Sequence, residues 1–177
     1  MSWVWWVVIA VGILALVVGL VAWSGALLPV NHKVVRQADL PRPRDEVWRD
    51  LEAVEAFPSW RPQVKRVEVG SEGGQLTWRE FGRGGTIALR AVTSDPPARR
   101  VVEIADPDLP YGGAWTYDLT DTSTGSTLKI TEDGEITNVI YRFMSRYVLG
   151  YTDTIDSFLA ALGAKYGTTV TPRTPRT

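Results

Sequence analysis

The sequence predicts an α+β fold in which a curved antiparallel sheet of about seven strands surrounds a long C-terminal helix, preceded by a single transmembrane helix. Three observations predict it. Residues 2–30 contain no charged side chain. Over residues 64–135, short extended runs alternate with turns rich in glycine and proline, which is typical of antiparallel hairpins. Residues 139–165 carry one apolar stripe at helical spacing.

Composition and charge exclude several classes of function. The chain has 177 residues, with 19 Lys plus Arg, 20 Asp plus Glu, one His and no Cys. A net charge of -1 argues against a nucleic-acid-binding protein. The lack of cysteine excludes disulfides and thiolate metal sites, and a single histidine, His32, argues against a Ser-His-Asp triad or a multi-histidine zinc site. We therefore predict no metal, no cofactor and no nucleic-acid partner.

The N-terminal segment is predicted to be a transmembrane anchor over residues 1–30. The apolar run 3–23 has 21 residues, which as a helix span roughly 31 Å, close to the thickness of the hydrocarbon core of a bilayer. Trp3, Trp5 and Trp6 lie at one end of the run and Trp23 at the other, as expected for indoles at the two membrane interfaces. A cleaved signal peptide and a buried core helix are the alternatives.

The charges that flank this segment predict its orientation. Only the α-amino group precedes it, whereas Lys33, Arg36, Arg42 and Arg44 follow it closely. Positive flanks stay in the cytoplasm. We therefore predict a single-pass protein with its N-terminus outside and its C-terminal domain cytoplasmic, in contact with the lipid bilayer.

Small residues within the anchor are spaced so that they share one seam: Gly12, Ala15, Gly19, Ala22 and Ala26. Such a seam allows close approach of a second helix and predicts a possible homodimer through the transmembrane helix. The alternative is that glycine and alanine are simply common in transmembrane helices.

The remaining elements follow in order along the chain. Val47, Trp48 and Leu51 recur at helical spacing after a proline-rich turn, and Asn138 is suited to cap the last helix. Gly150 costs about 1 kcal/mol within that helix and marks a kink or a close approach. Residues 168–177 are predicted to be a disordered tail. The expected elements are a strand over 32–39, a helix over 42–56, strands over 64–70, 75–81, 86–94, 99–105, 114–120 and 126–135, and a helix over 139–165.

Four segments resemble a known family: residues 38–48 (ADLPRPRDEVW), 57–62 (FPSWRP), 130–135 (ITEDGE) and 142–146 (RFMSR). The chain resembles the START-related SRPBCC superfamily, which includes the polyketide cyclase/dehydrase and lipid transport proteins, and the resemblance covers the domain over residues 31–167. It implies a helix-grip fold. It also implies an internal cavity that takes a small apolar ligand, such as a lipid, a quinone or a polyketide-like molecule.

Strand alternation predicts which side chains face that cavity. Trp78 shares a face with Glu80, and Trp115 shares one with Tyr117; Leu89 and Glu132 lie among apolar neighbours on their strands. The apolar stripe of the last helix contributes further residues. The predicted ligand-binding residues are Trp78, Glu80, Leu89, Trp115, Tyr117, Glu132, Met144, Tyr147 and Tyr151.

The two carboxylates are the most informative members of this set, because a carboxylate on an apolar face is costly unless it is paired or hydrogen-bonded. Arg142 and Arg146 are possible partners. Glu80 and Glu132 are then polar anchors for a ligand, or a general acid or base. The alternatives are a return of the carboxylate to water and a structural ion pair. His32 has no identifiable partner in the sequence, and no residue is assigned as catalytic.

Three functions remain open at this stage. The first is a membrane-tethered domain that binds a small apolar ligand in an internal cavity. The second is a filled-core, membrane-localised protein-interaction domain. The third is an enzyme of the cyclase or dehydratase type that uses Glu80 or Glu132 with Tyr117 or Arg142.

Overall fold

The structure, a computed structural model, describes residues 2–175 and contains one seven-stranded antiparallel sheet in the order β1-β7-β6-β5-β4-β3-β2. The predicted fold class is confirmed, and the strands begin and end within a few residues of the predicted bounds. The strands are β1 (Asn31–Leu40), β2 (Val64–Glu72), β3 (Gln75–Gly82), β4 (Gly85–Asp95), β5 (Arg99–Ile104), β6 (Tyr111–Thr122) and β7 (Gly125–Ile136).

Two short helices connect the edge strands β1 and β2. Helix α2 (Arg44–Glu52) follows Pro43, and a 3-10 helix covers Val54–Ser59. Val47, Trp48 and Leu51 of α2 are buried, so the helical spacing predicted for this segment places its apolar face against the core.

The core lies between the concave face of the sheet and the last helix, α4 (Asp153–Lys165). Ile155, Leu159 and Leu162 of α4 are fully buried. The ring of Phe158 contacts those of Trp60 and Tyr117, with centroid distances of 5.5 and 5.8 Å. Arg36 of β1 fixes the helix to the sheet edge through a two-pronged ion pair with Asp156, in which its Nε lies 2.6 Å from Oδ1 and its Nη2 3.0 Å from Oδ2.

The predicted helix over residues 139–165 is interrupted at Gly150, the residue that the sequence marked as a kink or a close approach. Helix α3 (Val139–Met144) continues as one π turn, Ser145–Leu149, and α4 begins only at Asp153. Gly150 has φ 83° and ψ 150°, a backbone conformation that is essentially restricted to glycine. Helix α4 therefore packs on the concave face of the sheet, whereas α3 packs mainly against α1.

Helix α1 (Ser2–Ala26) meets α3 at its C-terminal end. Residues Trp3–Ala26 are long and apolar enough to cross a bilayer, with a mean hydropathy of 2.8. Gly25 lies against the backbone of Val139 so closely that an added Cβ would overlap the Val139 carbonyl. The Arg142 guanidinium donates a hydrogen bond to the Leu28 carbonyl at 2.8 Å. The start of α3 is thus held against the end of α1.

The tail differs from the prediction of disorder over residues 168–177. Gln37 of β1 and Arg173 exchange two backbone hydrogen bonds of 2.8 and 2.9 Å. Arg173 also donates to Asp39, and this contact holds the pKa of the Asp39 carboxyl below its ordinary value. The backbone of β1, an edge strand, supplies free pairing groups that order this part of the tail. Residues 176 and 177 lie outside the described part of the chain.

Truncating Phe158 tests the packing of α4 in the sheet. We expect Phe158→Ala to lower the free energy of unfolding by about 3–5 kcal/mol, because the ring is 4% exposed and its removal leaves a cavity. The control is Phe143→Ala in α3, where the ring is only half-buried and packs against Tyr147. Urea unfolding of the full chain in nanodiscs, followed by near-UV circular dichroism, measures both. Equal losses for the two variants would contradict this packing.

Candidate functional site

Six of the nine predicted ligand-binding residues come together on the concave face of the sheet. Trp78 and Glu80 of β3 are buried, while Leu89 of β4, Trp115 and Tyr117 of β6 and Glu132 of β7 are half-buried. Strand alternation therefore placed these side chains on the correct face. Tyr151, just after the break at Gly150, contacts the same surface through His32.

Met144 and Tyr147 do not join this group. Both lie in the exposed segment before Gly150, and 61% of Tyr147 is accessible. The prediction extended the apolar stripe of one continuous helix to these residues. The break at Gly150 separates them from the concave face. The apolar stripe that packs on this face therefore consists of residues in α4.

Glu132 is the centre of the first polar cluster. Its Oε1 accepts a hydrogen bond from His32 Nε2 at 3.0 Å, and its Oε2 accepts one from Trp115 Nε1 at 2.7 Å. Trp115 lies directly opposite Glu132 on the neighbouring strand. The His32 ring stacks on Tyr151, with a centroid distance of 4.5 Å and an interplanar angle of 22°. We call these four residues the His32–Glu132 cluster.

Gly134 gives His32 the room to reach Glu132. His32 lies opposite Gly134 in the β1–β7 pairing, and its imidazole crosses the backbone at this position. A Cβ on Gly134 would overlap the imidazole ring. The glycine is therefore required for the position of the ring rather than for the conformation of the strand.

Glu80 is the centre of the second polar cluster. Its Oε1 accepts hydrogen bonds from Arg61 Nη1 at 2.7 Å and from Trp78 Nε1 at 3.1 Å. The Arg61 guanidinium also lies over the rings of Phe57 and Phe158, 4.8 and 5.1 Å from their centroids. Because both the Arg61 and Glu80 side chains are largely buried, this ion pair has low exposure to water, and removal of one partner leaves an uncompensated charge. We call it the Arg61–Glu80 cluster.

Tyr117 occupies the space between the two clusters. Burial raises the pKa of its hydroxyl; the cations Arg61 and Arg100 oppose the rise, and the carboxylates Glu80 and Glu132 add to it. All four charges therefore act on one phenol group, although they come from different elements. The phenol stays neutral at physiological pH and is available as both a donor and an acceptor.

Arg100 is a further buried cation on the concave face. Its guanidinium donates to the Leu51 carbonyl near the end of α2 and lies over the Trp78 ring, 5.4 Å from its centroid. Burial lowers the pKa of Arg100. Its contact with Leu51 satisfies one of the carbonyls that the end of a helix leaves without a partner.

One part of the concave face is partly accessible to solvent. Leu89, Trp115 and Tyr117 pack against the core yet remain partly accessible, although their side chains point to the same side as fully buried Leu119 and Leu128. We call this partly accessible part of the face, together with the adjoining His32–Glu132 cluster, the mouth of the site.

A separate cleft of about 460 Å³ lies beside the loop between β5 and β6. Its lining includes Arg90, Asp106, Leu109, Tyr111 and Glu135. None of the nine predicted ligand-binding residues lines it. Four of the residues that line it are charged and four are apolar, the latter being Ile104, Ala105, Pro107 and Leu109.

The predicted partners of the carboxylates were wrong, and sequence reasoning missed the actual ones. Arg142 contacts Leu28 and Arg146 is exposed. The partner of Glu80 is Arg61 and the partner of Glu132 is His32. Both are too distant along the chain for helix or strand periodicity to relate them to the carboxylates. Strand alternation could have predicted the position of His32, because residues 32 and 34 share one face of β1 and Val34 pairs directly with Glu132. Arg61 lies in a connection, for which parity gives no direction.

Comparisons with solved structures agree on the fold. A START superfamily protein from Mycobacterium smegmatis is 12% identical, with a TM-score of 0.61 over 77% of this chain and 97% of that one. The aromatase/cyclase Zhui from a Streptomyces species is 19% identical, with a TM-score of 0.59 over 78% and 92%. The di-domain aromatase/cyclase StfQ of the steffimycin biosynthetic pathway is 18% identical, with a TM-score of 0.58; the match spans 76% of this chain and only half of that one. At these identities the likeness concerns the fold.

Sequence comparisons add the family. No curated protein matches the chain significantly. Residues 31–167 match the family model described as polyketide cyclase / dehydrase and lipid transport, and this range contains all of β1–β7 and α2–α4. The chain therefore belongs to the polyketide cyclase/dehydrase and lipid transport family, within the START-like SRPBCC superfamily.

Proposed function

We propose that this protein is a membrane-tethered START-like domain that binds a small apolar ligand carrying one hydroxyl group on its concave face. The observation that carries the proposal is the mouth of the site, where half-buried Tyr117 lies on the same strand as Trp115 of the His32–Glu132 cluster and half-buried Leu89 continues the apolar face two strands away. Pockets for such ligands are mostly apolar, with a few placed polar groups. The family, in which hydrophobic ligand binding is the expected role, supports the same function.

The chemistry of Glu132 favours a hydroxyl over a carboxylate on the ligand. Each Glu132 oxygen accepts one hydrogen bond within the protein and has a further lone pair. A ligand hydroxyl donates to such an oxygen, whereas a second carboxylate beside Glu132 is repelled. A long-chain alcohol, a diacylglycerol or a quinol has the required combination of an apolar body and a hydroxyl.

The tether in this proposal is α1. Its residues 3–26 are apolar and mostly exposed in the isolated chain, and exposed apolar helices of this length favour a bilayer. Lys33, Arg36, Arg42 and Arg44 follow the helix, which supports an N-terminus outside and a cytoplasmic domain. Homodimerisation through the Gly12 and Gly19 seam stays a prediction; both glycines have open space around them.

A second candidate, the filled-core interaction domain, is supported by the aromatic packing between the sheet and α4. Phe158 contacts Trp115 and Tyr117 at centroid distances of 5.9 and 5.8 Å, so these rings occupy much of the space that a deep ligand needs. Under this alternative the concave face takes up no apolar ligand, and the binding experiment below separates the two functions.

Photolabelling tests the proposed site directly. The full chain in nanodiscs is irradiated with a long-chain alcohol that carries a diazirine, and labelled residues are mapped by mass spectrometry. We expect saturable labelling at Leu89, Trp115 or Tyr117, competed by the unlabelled alcohol and weaker with the matching fatty acid. Labelling confined to α1 and residues 139–149 would contradict the proposal, because these residues are exposed and lie away from the concave face.

The same assay tests Glu132. We expect Glu132→Gln to reduce labelling of the concave face about tenfold, because a hydrogen bond to a charged group contributes about 1.5–3 kcal/mol. The matched control is Glu135→Gln, three residues away on the exposed face of β7, which leaves labelling unchanged. Equal labelling of the two variants would remove Glu132 from the site.

Gly134→Ala tests the position of His32 independently of any ligand. Because His32 is the only histidine, its imidazole N–H gives a single NMR resonance, which the hydrogen bond to Glu132 protects from exchange. We expect Gly134→Ala to abolish this resonance and to reduce labelling as Glu132→Gln does. Gly84→Ala is the control, since a Cβ there meets open space. Retention of the resonance in Gly134→Ala would contradict the proposed packing.

Orientation is tested by cysteine accessibility, which is simple in a chain that has no native cysteine. Ser123, the position chosen for a Ser123→Cys variant, lies in the exposed turn between β6 and β7. We expect a membrane-impermeant maleimide to label this variant only after the cells are permeabilised. Labelling in intact cells would place the domain on the other side of the membrane.

A further inference from the structure

The segment Val139–Leu149, formed by α3 and the π turn, exposes a cluster of large apolar side chains. Tyr147 is 61% exposed and Leu149 is 64% exposed. Tyr141 has the ring of Tyr111 of β6 beside it, with a centroid distance of 6.2 Å, and is still 50% exposed. Contiguous exposed apolar groups of this kind mark a surface that binds something. The exposed members are Ile140, Tyr141, Met144, Tyr147, Val148 and Leu149; we call them the 139–149 surface.

The contacts of α3 place this surface beside the end of the apolar anchor. Gly25 of α1 touches the Val139 backbone, and Arg142 donates to the Leu28 carbonyl. Trp23, with its indole exposed, lies in the same last turns of α1. At 1.5 Å per residue, Gly25 lies about 3 Å from Trp23 along the axis of α1, so the start of α3 lies near the depth of Trp23.

We propose that the 139–149 surface rests in the interface of the lipid bilayer and forms a second membrane contact of the domain. Its continuity with α1 identifies the occupant, because the lipids that surround Trp23 also reach α3. Its chemistry fits the same depth: Tyr141 and Tyr147 are aromatic groups with a polar end, and exposed Arg146 is suited to a lipid phosphate. The inference rests on the proposed role of α1 as a tether.

This contact also orients the mouth of the site toward the membrane. Tyr151 follows the surface after the break at Gly150 and stacks on His32 in the His32–Glu132 cluster. An apolar ligand that leaves the bilayer at the 139–149 surface therefore meets this cluster directly. His32 and Glu132 are thus connected to the 139–149 surface through Tyr151, two residues after Leu149.

Depth-dependent quenching of a fluorescent label tests the proposal on the full chain. Single-cysteine variants are labelled with NBD and reconstituted into vesicles of phosphatidylcholine and phosphatidylglycerol that contain spin-labelled lipids. Tyr147→Cys reports on the 139–149 surface and Leu14→Cys on the middle of α1. The matched control is Val69→Cys, since Val69 is also an exposed apolar residue, 42% accessible, but lies on the edge strand β2.

We expect the Tyr147→Cys label to be quenched by a spin label near the headgroups at least about twofold more than the Val69→Cys label, as an interfacial residue is. The Leu14→Cys label is expected to be quenched best by a deep spin label. Quenching at Leu14 with Tyr147 no different from Val69 would overturn the second contact and leave the tether intact.

The remaining outcomes also decide the question. Failure to quench the Leu14→Cys label would overturn the tether and the second contact together. A blue-shifted Tyr147→Cys label that lipid-borne quenchers do not affect would show that a second copy of the chain covers the surface, and would overturn the proposal.

Discussion

The backbone conformation of Gly150 is the constraint on which the rest of the structure depends. With φ 83° and ψ 150°, this residue ends one helical segment in a geometry that a side chain disfavours strongly. The segment 139–165 therefore forms two helices with different packing partners. Helix α4 fills one part of the concave sheet, whereas α3 packs against α1. The large apolar side chains that precede the break, among them Tyr147 and Leu149, stay exposed.

The concave face combines two partnered carboxylates with an aromatic floor. A carboxylate buried among apolar groups needs several hydrogen-bond donors, and each here has two: Arg61 and Trp78 for Glu80, and His32 and Trp115 for Glu132. The two clusters differ in accessibility. The Glu80 side chain is 8% exposed and is enclosed by Arg61 and the surrounding rings, whereas the Glu132 side chain is 18% exposed and is the carboxylate that the proposed ligand contacts.

Local patterns in the sequence predicted the fold and most of the concave face, but not the contacts between distant segments. Strand alternation placed Trp78, Glu80, Trp115, Tyr117 and Glu132 correctly, because a period of two is a property of each strand alone. The partners of Glu80 and Glu132 depend on a connection and on the opposite edge of the sheet. The sequence marks Gly150 as a kink or a close approach, but the apolar spacing of Met144 and Tyr147 continues across it, so local patterns do not show that these two residues lie away from the concave face. Arg173 lies along β1 because an edge strand has free pairing groups, which composition does not reveal.

Native mass spectrometry of the full chain, purified from cells in nanodiscs and compared before and after organic extraction, tests the central claim most directly. Binding of an apolar ligand on the concave face predicts a discrete, extractable adduct of defined mass beyond the bulk lipid, and its fragmentation gives the chemical class, which should include a hydroxyl group. A clean apo mass, with no uptake when the extracted protein is offered a panel of lipids, alcohols and quinols, would contradict the claim. That result would favour the filled-core interaction domain.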